Sequence, residues 1–217
     1  MSAAALPWRS VNDDGELLDA WRAGDDQAGR RLVERHYPTI ERFFFNKAGE
    51  SAPDLIQRTF VRVLEARTRV RADANLRAYL LGIARNVLYE HYRTTRKDFG
   101  QLDFASHSAI DIAPTPSSQL AESRQAQLLL RALRSIPIDY QVVLELYYWE
   151  DMRSREVAAV LDLPEGTARS RIRRARQLLE AKLETLASSP LELRSTATNL
   201  EHWAAHLKQR IDDPDAS

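Results

Sequence analysis

SREVAAVLDLPEGTARSRIRRARQLL, residues 154–179, holds two helical periods divided by a short break. Ser154 can cap the first, which turns Val157, Ala158 and Leu161 inward. Asp162, Leu163 and Pro164 end it, because proline disfavours helix in the residue before it. A second helix begins near Glu165 and Thr167. On it Ala168, Ile172, Ala175 and Leu179 form one buried stripe. A step of about 100° per residue then turns Ser170, Arg173, Arg174 and Gln177 away from the core, with Arg169, Arg171 and Arg176 flanking the stripe. A basic helix face alone can be an ordinary solvated surface. A short helix, a turn and an arginine-rich helix with small inward residues suit insertion into the major groove of DNA. The arginines can meet guanine edges or phosphates.

Working outward, helical periodicity fills most of the chain and predicts an all-α fold. Towards the N-terminus three apolar stripes occur: Val33, Tyr37, Ile40 and Phe44; Ile56, Phe60, Val63 and Leu64; and Leu76, Leu80, Ile83 and Val87. Pro38 is expected to kink or split the first helix, and Asp73 is placed to cap the third. The stripes suit a small bundle, assigned to residues 14–98. Residues 99–120 carry Pro114, Pro116 and several serines without amphipathic period, and read as an extended linker. Periodicity returns through Ala126, Leu129, Leu130 and Leu133, then Val142, Leu146 and Trp149, giving a second helical domain at 121–186. In the extension 187–217, Leu193, Ala197, Leu200, Ala204, Leu207 and Ile211 form a heptad seam beside Trp203. This seam can dock on its own chain or on another protein.

Lys+Arg and Asp+Glu both number 31, so the formal net charge is zero. That balance argues against simple coating of nucleic acid and leaves local segregation of charge to do the binding. The chain has no cysteine, which excludes disulfides and thiolate metal sites. Its five scattered histidines show no metal-ligand spacing, and there is no phosphate-binding glycine loop or nucleophile motif. No cofactor, metal or enzymatic activity is expected. No secretory signal or membrane span is read, so a cytoplasmic location is expected.

The third N-terminal helix, NLRAYLLGIARNVLYEHYRTTRK, places Tyr79, Asn86, Tyr89, Arg93 and Arg96 on one side expected to be exposed. Aromatic, amide and basic groups together suit unstacked bases and a phosphate backbone. Such a cluster also occurs as plain surface packing, so periodicity alone leaves this open.

Two separated segments carry a family resemblance. DLIQRTFVRVLEARTRVRADANLRAYLLGIARNVLYEHYRTTRK, residues 54–97, resembles region 2 of extracytoplasmic-function RNA polymerase sigma factors of the sigma-70 family. LRSIPIDYQVVLELYYWEDMRSREVAAVLDLPEGTARSRIRRAR, residues 133–176, resembles their region 4. The resemblance spans roughly residues 14–183. It implies a factor that binds core RNA polymerase and directs promoter-specific initiation. Asp54, Gln57 and Phe60 match residues that dock the polymerase clamp. Residues 70–76, with Arg71, Asp73 and Asn75, match the loop that captures a flipped −10 base. Tyr79, Asn86, Tyr89 and Arg93 match the helix that holds the melted strand. Thr167, Arg169, Ser170, Arg173 and Arg174 match positions that contact the −35 element, and residues 135–148 match a surface for the polymerase flap. A flipped base loses a few kcal/mol of stacking that aromatic side chains return.

The sequence departs from the family where the clamp helix is usually acidic: Glu50-Ser51-Ala52-Pro53-Asp54 precedes it, and Arg58-Thr59 follow Gln57. Asp162 also stands in place of a usual turn glycine, Tyr79 in place of a usual tryptophan, and Gln141 in place of a common arginine. Phosphorylation of Ser51 or Thr59 by a Ser/Thr kinase is one way to restore charge, since a helix N-terminus favours an anion. The plainer role for Ser51 is to cap that helix in a box with Asp54. An anti-sigma protein is the other expected regulator. A helix-turn-helix regulator that never joins polymerase is the rival reading, and the DLIQ…IARN unit speaks against it.

Overall fold

The computed structural model describes residues 13–68, 75–95, 107–108 and 124–187. Among these there are eight α-helices and no strand. The front module contains α1 (Asp13–Arg22), α2 (Asp26–Phe45), α3 (Ala52–Ala66) and α4 (Leu76–Thr95). The rear module contains α5 (Arg124–Arg134), α6 (Ile138–Leu144), α7 (Ser154–Leu161) and α8 (Glu165–Leu186). The expected linker falls outside the described residues except for His107 and Ser108. There the His107 carbonyl accepts from Ile138 N at 3.0 Å, which satisfies a free amide at the start of α6. Asp73, Arg71 and Arg96 and the heptad tail with Trp203 also lie outside the described residues.

In the front module Asp25 caps α2, its Oδ1 accepting from Gln27 N at 2.9 Å and Ala28 N at 3.2 Å. Pro38 does not break this helix, which runs unbroken through it. Of the expected stripe Ile40 and Phe44 are buried, Val33 is half-buried and Tyr37 is exposed, and Ala28, Gly29, Leu32, His36, Thr39 and Phe43 complete the inward face. Leu64 of α3 is likewise exposed and Phe60 only half-buried. Both departures share a cause: α2 packs on α1, α3 and α4, and α3 on α2 and α4, so the buried arc shifts from the single stripe that spacing suggests. A Cβ at Gly29 would clash with the Trp21 indole, so glycine there admits the ring that joins α1 to α2. α4 is capped by Asn75, whose Oδ1 accepts from Ala78 N at 3.1 Å.

In the rear module α6 passes into a π-helical turn over Glu145–Trp149, closed by Glu150 N donating to Glu145 O at 3.1 Å. Ser154 is the first residue of α7 and not its cap. Arg153 holds the cap position, and its N donates to Glu156 Oε2 at 2.9 Å. α7 ends at Asp162, which is left-handed at φ 54° and ψ 54°. Leu163 N donates to Ala158 O at 3.0 Å, completing a Schellman turn. A side chain with a Cβ is strained there, least so for Asp or Asn. Asp162→Gly is therefore expected to raise the denaturation midpoint, and Asp162→Val to lower stability by about 1–2 kcal/mol; chemical denaturation measures both.

The modules do not stand apart. α4 packs on α7, where a Cβ added to Gly82 would lie 3.6 Å from the Val160 carbonyl oxygen. The buried apolar residues of both modules form one continuous cluster.

Candidate nucleic-acid interface

On α8, Ala168, Ala175, Leu179 and Leu183 are buried and Ile172 is half-buried. The two alanines let α7 and α6 approach closely, and the rest of the helix projects. Thr167, Arg169, Ser170, Arg173 and Arg174 are all exposed. Arg169 Nη2 lies 2.5 Å from Glu165 Oε1, one turn back, and this hydrogen bond holds the Glu165 carboxyl below its ordinary range. Ser170 Oγ donates to Thr167 O at 2.8 Å. The helix thus presents a basic, solvated face of the width a major groove accepts. Arg153 and Arg155 are exposed at the start of α7.

The α4 face is mixed. Asn86 and Arg93 are exposed and Tyr79 is half-buried. Tyr89 departs from expectation: it is buried, and its hydroxyl donates to Asp139 Oδ1 of α6 at 2.5 Å. Burial first, and the Asp139 carboxylate second, push its phenol well above the ordinary value. Arg85 lies over the same ring, 4.9 Å from its centre. Asn75 Nδ2 donates to Glu156 Oε1 of α7 at 2.7 Å.

On the far side of the front module, Asp54 and Gln57 of α3 are exposed and Phe60 stacks on Tyr37 with ring centres 6.3 Å apart. Val61 and Leu64 extend this into an exposed apolar strip. Arg58 lies 3.8 Å from Asp54, so the one acid of the helix start is already faced by a cation. Ser51 is half-buried with helical dihedrals, and its side chain makes no cap bond, so the expected box with Asp54 does not form. Thr59 is fully buried, its Oγ1 donating to Leu55 O at 2.7 Å. No kinase can reach it in this fold.

Sequence reasoning missed the groups that join the modules. Lys47, fully buried, pairs with Glu145 and lies 4.3 Å from the Phe43 ring centre. Glu145 also accepts from Asn46 Nδ2 at 2.9 Å and Gln141 Nε2 at 3.0 Å. Glu150 is held by Arg42 Nε at 2.9 Å and Arg77 Nη2 at 2.5 Å. Burial alone would raise the Glu150 carboxyl, but the two guanidinium groups outweigh it and hold it low. Arg134, also buried, donates to the Asn46 carbonyl. Residues five apart diverge by about 140° on an α-helix. The π turn brings Glu145 and Glu150 onto one side instead, and no α-helical period signals that. The span 135–148, expected to serve as a flap surface, is largely buried here, with Tyr147 its most exposed large apolar residue.

Comparison with known proteins matches two family models, Sigma-70 region 2 over residues 32–98 and Sigma-70 region 4 over residues 126–179. The ECF RNA polymerase sigma-E factor of Escherichia coli (strain K12) is 26% identical over 183 residues, covering 80% of this chain and 95% of that one. That of Haemophilus influenzae is 24% identical over 185 residues, covering 80% and 96%. Among solved structures, CnrH in complex with the cytosolic domain of CnrY superposes with a TM-score of 0.58 at 25% identity, covering 81% of this chain and 99% of that one. The sigma factor RpoE in complex with the anti-sigma factor NepR from Bartonella quintana gives 0.57 at 22% identity over 71% and 96%, a likeness of fold.

Proposed function

This chain belongs to the extracytoplasmic-function sigma factors of the sigma-70 family, and from that premise we propose that it binds core RNA polymerase and opens promoters by reading a −35 duplex and a −10 strand. The observation that carries the reading is the pairing, in one chain, of a projecting arginine helix with an α3 edge on the other module that exposes Asp54 and Gln57 beside half-buried Phe60. A duplex reader needs the first; a polymerase subunit needs the second as well.

In this assignment Thr167, Arg169, Ser170, Arg173 and Arg174 contact the −35 duplex. Asp54, Gln57 and Phe60, with the neighbouring strip, dock polymerase. Arg71, Asp73, Asn75, Tyr79, Asn86, Tyr89 and Arg93 serve the −10 strand. The sigma family is not a class of enzymes, and catalysis rests with the polymerase. No described helix is long and apolar enough to cross a membrane, and a role at promoters supports the reading of a cytoplasmic protein. Run-off transcription with purified core polymerase on promoter DNA tests the reading. Initiation that depends on the added chain is expected; duplex binding without polymerase association would establish the simple regulator instead.

The regulator is proposed to be an anti-sigma protein or a kinase. The two solved structures named above are complexes with a second protein, which favours the first. Ser51 keeps the second open, because its hydroxyl is not spent on a cap and sits at the start of α3. Ser51→Glu is expected to bind core polymerase several-fold more tightly than Ser51→Ala; equal affinities in a titration remove the kinase proposal.

A further inference from the structure

We propose that the C-terminal tail, residues 188–217, folds back onto the α3 edge and covers it, so that the chain holds its own polymerase dock shut. The proposal rests on the reading of that edge as the dock. Among the described residues, Tyr37 at 42%, Val61 at 45% and Leu64 at 43% are the most exposed large apolar side chains, and Tyr147 is the only other of this kind. The three lie together around the stacked rings of Tyr37 and Phe60. A contiguous apolar patch of this sort marks a contact surface. The tail carries a face to match it. Its seam of Leu193, Ala197, Leu200, Ala204, Leu207 and Ile211 is a stripe that one helix cannot bury by itself. The two alanines leave hollows that the stacked rings fill, and the leucines and Ile211 supply area over Val61 and Leu64.

Charge and length favour the tail as the occupant. Beyond Val61, α3 turns Arg58 and Arg62 outward one helical turn apart, in solvent-open pairs with Asp54 and Glu90. The tail ends in Asp212, Asp213 and Asp215, with no Lys or Arg after Arg210. Those acids, just past the last seam residue, meet the two arginines. Exposed ion pairs contribute little energy, so the acids set the register while the seam supplies the affinity. Residues 188–192 extended reach about 17 Å, and the seam as a helix adds about 27 Å. Together they match the width of a folded chain of this length. Tethering also gives the tail an effective concentration on the order of 1 mM, which a free second copy does not reach. Polymerase then binds only the fraction of chains whose tail is open, and its apparent affinity falls by that fraction.

The test uses the whole chain. It has no cysteine, so Glu65→Cys, exposed on α3, and Gln209→Cys, off the seam of the tail, carry the only two spin labels. The labelled chain is expected to show one short, narrow distance. Leu200→Asp with Leu207→Asp is expected to broaden and lengthen it. The same pair, in the unlabelled chain, is expected to bind purified core polymerase about tenfold more tightly, as for a tail closed in about nine chains of ten. Asp212→Lys with Asp213→Lys leaves the seam intact and is expected to move both readouts the same way by a smaller step. A wild-type distance distribution as broad as the seam variant's overturns the docking. A short distance between singly labelled chains in a mixture assigns the edge to a second copy and overturns it too. Equal, measurable affinity for polymerase overturns the inhibition and leaves the dock standing, whereas no binding by any form overturns the dock and the inhibition together.

Discussion

Alanine at both Arg173 and Arg174 is expected to lower promoter-directed transcript yield by about a hundredfold, with affinity for core polymerase unchanged. Both side chains are exposed on the outer face of α8. A good bidentate contact between arginine and a base contributes about 1–3 kcal/mol, and two lost contacts reach the hundredfold loss near the lower half of that range. Loss of a phosphate contact would also flatten the salt dependence of duplex binding. Stability is expected to stay within about 0.5 kcal/mol, because neither residue supports the core. The α3 edge proposed to dock polymerase lies on the other module, which is why the two readouts should separate. Equal transcript yield from the double variant would remove α8 from promoter recognition.

The second large effect concerns the buried Lys47–Glu145 pair. Glu145→Ala leaves an ammonium with no carboxylate, and breaking such a pair costs about 3–5 kcal/mol. Its remaining neighbours are Asn46 Oδ1 at 3.3 Å and the Phe43 ring. Lys47→Met is expected to cost less, because Glu145 keeps amide donors from Asn46 and Gln141 and methionine fills the space beside Phe43. Burial already depresses the Lys47 ammonium, and the Glu145 carboxylate only partly restores it. Chemical denaturation of the two variants checks the order. The cost in Glu145→Ala should emerge as an early separation of the modules, since opening rehydrates the ammonium before the helices melt. A larger loss in Lys47→Met than in Glu145→Ala would contradict the assignment of the buried charge.

The recognition helix was legible without a structure because one helix with one buried stripe obeys a single period. Ala168, Ala175 and Leu179 go in, and Arg173 and Arg174 come out. Tyr89 was not legible in this way. Periodicity places it opposite the stripe of α4, but it cannot reveal that a second module covers that side. Thr59 was misread for a related reason: its neighbours Arg58 and Phe60 suggest a surface, while packing of α3 on α2 and α4 closes over it. Asp162 was recognised as replacing a glycine, and the left-handed dihedrals supply the reason that glycine is usual there.

Local pattern alone determined the helices, the family and the outward arginines, because these depend on residues within a few turns of one another. Tertiary structure decided which exposed faces stay exposed. Nothing in the local pattern sets Lys47, Glu145, Glu150 and Asp139 apart until two distant modules meet, and the pairing energy of a charge depends on what desolvates it, a property of the assembled chain and not of its neighbours in sequence.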